Sequence, residues 1–108
     1  MGEVVNPDAP ATLEVSLDPS GRPILKVIGE LDLSSVGPIG SAIEAIVTGK
    51  HDRIMFDLSE LRFMDSSGLR MFLAVAHQTA EVQLRDPSPM VRKVIELTGT
   101  SGAFVITP

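Results

Sequence analysis

The sequence predicts an α/β domain with a mixed, mostly parallel sheet of about five strands, and three observations carry that prediction. Leu13, Val15 and Leu17 alternate with Glu14, Ser16 and Asp18 ahead of Pro19-Ser20-Gly21, the pattern of a half-exposed strand running into a turn. Ile54, Met55 and Phe56 follow one another within Arg53–Leu58, a run that suits a strand buried on both faces. Beyond the opening strands, strand-like runs alternate with segments of helical period, the order from which parallel sheets with right-handed crossovers are built.

Each element follows in turn. Residues 1–10 read as a flexible leader, punctuated by Asn6-Pro7 and Ala9-Pro10, and residues 11–108 as a single domain, a size at which one core forms without a metal or disulfide. Leu13–Leu17 and Ile24–Ile28 form an antiparallel edge hairpin. A first helix follows Ser34-Ser35 as its cap, with Ile39, Ile43, Ile46 and Val47 on one face and Gly49 as its stop. Leu61, Phe63 and Met64 belong to a loop that leads from the third strand to Asp65. A second helix spans about Ser66 to Ala80, with Leu69, Phe72, Leu73 and Ala76 inward and Arg70, His77 and Gln78 outward. Val82–Arg85 is a strand. Ser88-Pro89 opens a third helix, Ser as cap and Pro in its first turn, with Met90, Val91, Val94 and Leu97 on its apolar side. Ala103–Ile106 is a last strand.

Composition removes several functions. The chain has no Cys, so thiolate metal sites, Cys nucleophiles and disulfides are excluded. Fourteen Asp plus Glu against nine Lys plus Arg give a net charge of −5, which opposes direct nucleic-acid binding. Without Trp or Tyr there is little for a base-stacking platform. His51 and His77 stand without partners at metal-ligand spacing. No metal, cofactor or catalytic residue is expected. The start lacks a cationic stretch before an apolar run, unlike a signal peptide, and no apolar stretch is long enough for a bilayer; a cytoplasmic location without membrane contact follows as an expectation.

One turn is left with chemistry in it. Asp65-Ser66-Ser67-Gly68 falls where a loop becomes a helix. One reading makes a serine the N-cap, worth about 1 kcal/mol, with Asp65 favourably placed at the positive helix end. The other is a phosphorylation switch. A phosphate adds about −1.5 to −2 charge and three acceptor oxygens, which free N–H groups at a helix start can receive while adjacent Asp65 concentrates like charge on one spot. In that reading Gly68 clears an approach to the hydroxyl, and Met64 and Leu69 supply flanking apolar surface. Asp57 reads as a structural hydrogen-bond acceptor near the site.

The stretch from Phe56 to Leu69, Phe-Asp-Leu-Ser-Glu-Leu-Arg-Phe-Met-Asp-Ser-Ser-Gly-Leu, resembles the signature of STAS-domain anti-sigma factor antagonists. Gly29-Glu30-Leu31-Asp32-Leu33 is similar to that family's Gly-x-Leu-Asp stretch, and Ser88-Pro89 through Leu97-Thr98-Gly99 to the helix before its last strand. The three occur in family order. The resemblance implies the STAS fold and a non-enzymatic regulator. Its unphosphorylated form binds an anti-sigma factor that is itself a serine kinase, and so frees the sigma factor. Phosphorylation of Ser66 ends that binding, and a serine phosphatase restores it. The resemblance further implies a partner surface built from Asp32, Met64, Asp65, Ser67, Gly68, Leu69 and Val94, with Ser67 as helix cap. The same domain type also serves as a subunit of lipid-transport ABC complexes and stressosomes, the alternative reading. Two departures stand out. Arg70 lies where the antagonists often carry a second Gly, within reach of Asp65 or of a phosphate. Many members also continue into a C-terminal helix beyond the last strand, where this sequence ends at Pro108; either the edge or core is left more open or the natural protein is longer.

Overall fold

The computed structural model describes residues 10–47 and 52–108; the leader, Gly49 and His51 lie outside them, apart from Pro10. The element order is β1 (Ala11–Leu17), β2 (Pro23–Leu31), α1 (Val36–Val47), β3 (Arg53–Asp57), β4 (Leu61–Met64), α2 (Ser66–Gln78), β5 (Glu81–Arg85), α3 (Pro89–Leu97), a 3₁₀ turn (Ser101–Ala103) and β6 (Val105–Thr107). Among the described residues the sheet therefore has six strands, one more than expected. The extra strand is β4, which the sequence presents as a loop. Its four residues lie parallel to β2, Phe63 opposite Glu30 and Met64 opposite Leu31.

The sheet runs β1-β2-β3-β5-β6, antiparallel between β1 and β2 and parallel elsewhere. β2 is shared. Its first half, Ile24–Lys26, pairs with β3. Its end, Gly29–Leu31, pairs with β4, with an irregularity in the ladder between Gly29 and Glu30. The hairpin predicted at the edge is present, tightened by Asp18, whose carboxylate accepts from Ser20 N–H, Ser20 O–H and Arg22 N–H.

Side chains of β2, β3 and β5 alternate between buried and half-buried. This corrects the reading of Arg53–Leu58 as covered on both faces. Leu25, Val27, Ile54, Phe56 and Leu84 are fully enclosed with Ile39, Ile43, Phe72, Val91 and Ile95 of the helices. The Phe56 and Phe72 rings meet edge to face, centroids 4.8 Å apart at 70°, a geometry worth about 0.5–1.5 kcal/mol beyond burial. On the other face Met55 lies beside Ile24 and Gln83 in a half-exposed row. On α3 the buried residues are Val91 and Ile95, one turn apart, whereas Met90 and Leu97 face outward. Ser88 does cap this helix, accepting from Val91 N–H at 3.2 Å.

Asp57 ends β3 almost enclosed. Burial opposes its ionisation, but hydrogen bonds from Ser59 O–H (2.7 Å), Ser59 N–H (3.0 Å) and the Arg85 guanidinium (2.9 Å) outweigh that and hold its pKa below the ordinary value. The folded chain then binds fewer protons than the unfolded one at acid pH. The stabilisation is complete above the unfolded value near 3.8 and disappears as pH falls through the lower folded value. Acid titrations followed by circular dichroism should therefore find a steeper loss of stability below that pH in the native chain than in Asp57→Asn.

Candidate functional site

The site begins where β2 and β4 end side by side. Leu31 C=O accepts the N–H of Asp65 at 3.1 Å, which carries the parallel ladder one residue past β4. Asp65 then takes extended backbone angles (φ −101°, ψ −170°) and caps α2. Its Oδ1 accepts from Ser67 N–H (2.8 Å) and Gly68 N–H (3.2 Å), its Oδ2 from Leu33 N–H (3.3 Å), and its carbonyl from Leu69 N–H (3.1 Å). One residue thus joins the helix start to both β2 and the loop after it.

Two expectations change as a result. Ser67 is not the cap; Asp65 is, and both serines lie in the first helical turn. Nor are the N–H groups of Ser67 and Gly68 open to an anion, since the Asp65 carboxylate already receives both.

Asp32 lies close by, one residue before Leu33. Its Oδ1 accepts from Ser34 O–H (2.7 Å), Ser34 N–H (3.0 Å) and Ser35 N–H (3.1 Å). The Ser34 hydroxyl is the largest influence in holding the Asp32 pKa below its ordinary value, against an opposing effect of burial. Ser35 is buried and turns back to the strand end, donating to Glu30 C=O (2.8 Å) and accepting from Asp32 N–H (3.0 Å). The Ser34-Ser35 pair therefore shapes the β2–α1 loop rather than capping α1 with a hydroxyl.

Met64 and Leu69 are 1% and 4% exposed. They are core residues under the helix start and offer no apolar rim. Gly68 likewise faces inward. A Cβ there would stand 2.8 Å from Met64 Cγ, 3.0 Å from Leu31 O and 3.1 Å from Leu31 Cδ2. The glycine lets α2 seat against the end of β2; it does not open a path to the serine hydroxyl. Gly68→Ala should consequently cost about 1–3 kcal/mol, the range for overpacking, read as a lower urea midpoint. The inward stripe of α2 is Gly68, Leu69, Phe72 and Val75, with Leu73 and Ala76 only partly buried.

What faces solvent is a different set. Ser66 is exposed and Ser67 half-exposed. Between α1 and α2 runs a groove of about 430 Å³ whose lining includes Leu33, Val36, Gly40, Ser67, Arg70 and Met71. Leu33, 78% exposed, is the apolar residue of this surface that sequence reasoning passed over. Its place directly after the Gly-x-Leu-Asp stretch, in a polar loop, was the available signal. Val94 is not gathered into the same cluster: it is half-buried on α3, which packs chiefly against β4. Among the described residues Arg70 forms no ion pair with Asp65.

The Asp65 carboxylate is engaged by three backbone amides, two on Oδ1 and one on Oδ2. His77 lies near the far end of the same helix. Among the described residues no cluster of His, Asp and Glu is arranged to hold a metal, and no helix is long and apolar enough to cross a membrane.

Comparison with known proteins gives consistent results. A family model described as Mlab, STAS domain, matches residues 15–107. An anti-sigma F factor antagonist of Lysinibacillus sphaericus is 38% identical over 84 residues, 70% of this chain and 69% of that one. The crystal structure of an anti-sigma factor antagonist from Mycobacterium paratuberculosis superposes with a TM-score of 0.84 at 28% identity, covering 94% of this chain and 88% of the other. The anti-sigma factor antagonist SpoIIAA is similar in its unphosphorylated form (TM-score 0.74, 26% identity, 89% and 88% covered). Bacillus SpoIIAA in the phosphorylated form is also similar (0.68, 25%, 89% and 91%).

Proposed function

The chain belongs to the STAS-domain family of anti-sigma factor antagonists, and on that premise we propose that it is a cytoplasmic partner switch controlled at Ser66. In its unmodified form it binds an anti-sigma factor with serine kinase activity and so releases a sigma factor. Phosphorylation of Ser66 ends the binding, and a serine phosphatase reverses the modification. The observation that carries this reading is the position of Ser66: an exposed hydroxyl in the first turn of α2, beside an aspartate whose own oxygens are committed to the backbone. A phosphate there adds charge at the surface and disturbs no core contact.

The partner surface in this reading comprises Asp32, Asp65, Ser66, Ser67 and Leu33, with Val94 on a neighbouring helix. Met64, Gly68 and Leu69 support it from beneath. The existence of a phosphorylated form of a similar protein supports the chemistry.

The test is incubation with ATP and an anti-sigma kinase that binds the chain, followed by mass spectrometry. One phosphate on Ser66 is expected, and none on Ser66→Ala, which should keep both fold and binding. Full modification elsewhere, or no modification by a kinase proven to bind, would sink the proposal. Recovery from cells of an ABC-type ATPase and no kinase would replace it with the reading of a subunit in a transport assembly.

A further inference from the structure

We propose that Arg70 is the built-in counter-charge of the switch. Once Ser66 carries a phosphate, the Arg70 guanidinium closes on it from one turn along the same helix, and the negative charge offered to a partner is reduced. This rests on the reading of Ser66 as the phosphoacceptor.

Three observations lead to it. First, the two residues share a ridge. Ser66, Arg70, Ala74 and His77 are all exposed, while Gly68, Leu69, Phe72 and Val75 face the core. Residues four apart on a helix have Cβ atoms about 5–6 Å apart, and an anion placed N-terminal to a cation is the better orientation. Second, Arg70 is available. Arg22, Lys26, Arg53 and Arg85 each hold a carboxylate, whereas Arg70 makes no ion pair among the described residues and lines the groove beside Ser67. Third, two of the helix-start amides that would receive a phosphate at this position are already taken. The N–H groups of Ser67 and Gly68 donate to Asp65. Charged groups around the spot include Asp65 at the cap, Asp32 in the adjoining loop, Glu44 across the groove on α1, and Arg70. Three of these four charges repel a phosphate, and the guanidinium alone attracts it, with donors in a fork that matches phosphate oxygens.

The consequence is a graded switch. Arg70 partly neutralises the modified site, so release of the partner depends on salt and on what the partner places opposite Arg70. Phosphoserine can be introduced at position 66 of the full chain by codon expansion, which makes the measurement independent of any kinase. In ³¹P NMR titrations the second phosphate pKa should lie about 0.3 unit lower with Arg70 than in Arg70→Gln, a roughly twofold difference in proton affinity. The gap should shrink at high salt and be partly restored in Arg70→Lys. Superimposable titrations of the native and Arg70→Gln chains would overturn the proposal, provided their unmodified forms give matching amide spectra. A kinase that ignores Ser66 would defeat the functional reading above yet leave this charge pair measurable, so the two failures are distinguishable.

Discussion

Replacing Gly29 by Ala should destabilise the domain by about 3 kcal/mol or more, enough to lower its urea midpoint severely or to prevent folding. Gly29 has φ +105°, a region that L side chains rarely occupy. A Cβ there would stand 2.1 Å from the carbonyl oxygen of Pro10 and 3.2 Å from its carbon. The obstacle is backbone, and it is pinned. Glu30 N–H donates to that same Pro10 oxygen at 3.1 Å, while Gly29 N–H donates to Glu60 C=O at 3.0 Å. Relief requires β1 to move away from β2, or β2 to lose its step from β3 to β4. Strain of this kind belongs with the few mechanisms that exceed the usual 0.5–3 kcal/mol range of single substitutions. Gly21→Ala is the control. That glycine also has positive φ, +87°, but nothing within 4 Å of a Cβ, so only the conformational term of about 1–2 kcal/mol applies. Equal losses in the two variants would mean that the close approach of Pro10 carries no cost.

Phosphorylation of Ser66 should weaken binding to the anti-sigma kinase about 100-fold, equivalent to ~2.7 kcal/mol. The dianion would stand next to Asp65 and near Asp32, at the centre of the proposed surface, and would need to be desolvated or matched by the partner. Misplaced like charge at an interface costs several kcal/mol; a nearby guanidinium recovers part of it. Ser66→Asp adds one charge on a shorter arm, and a loss of about tenfold is expected. Calorimetric titration of the three forms with the same kinase provides the comparison, with unfolding curves to establish that their folds are equally stable. Affinities within twofold of one another would remove charge from the explanation of the switch.

The sequence carried most of this architecture because most of it rests on local pattern. Alternation at Leu13–Leu17, the apolar run at Ile54–Phe56 and the Ser88-Pro89 start all reappear in the structure. β4 was hidden for a physical reason. Its four residues hold only Leu61 and Met64 inward, and its partner lies some thirty residues away in β2, beyond the reach of periodicity. The same long-range pairing decides the cap. Asp, Ser and Thr are all competent N-caps; Asp65 takes the role because the ladder with Leu31 fixes its backbone in the extended state just before the helix. Leu69 was legible as buried from the helical stripe it shares with Phe72, but the burial of Met64 and Gly68 was out of reach, since a residue beside an exposed serine looks the same in sequence whether it faces a partner or the core. On α3, Met90 and Leu97 are as apolar as Val91 and Ile95, and only the packing surface distinguishes the outward pair from the inward one.

Because β3 and β4 are laid end to end along one neighbour, the three residues between them, Leu58–Glu60, act as a spacer of fixed length. Leu58 N–H is held by Arg85 C=O and Leu61 N–H by Leu58 C=O, and the ladder with β2 already takes up one extra residue between Leu61 and Phe63, so a further change of length here has little room to be absorbed. A slip of one position in β4 would turn Met64 outward and carry Asp65 away from Leu31. The Pro19–Arg22 turn joins strands that answer only to each other, and it can change length without consequence for the helix start. Length changes should therefore be better tolerated at the hairpin than in the short turn before β4: the location of Ser66 is measured out along β2, and a deletion near Ser59 should be as damaging to the proposed switch as a change at the serine itself.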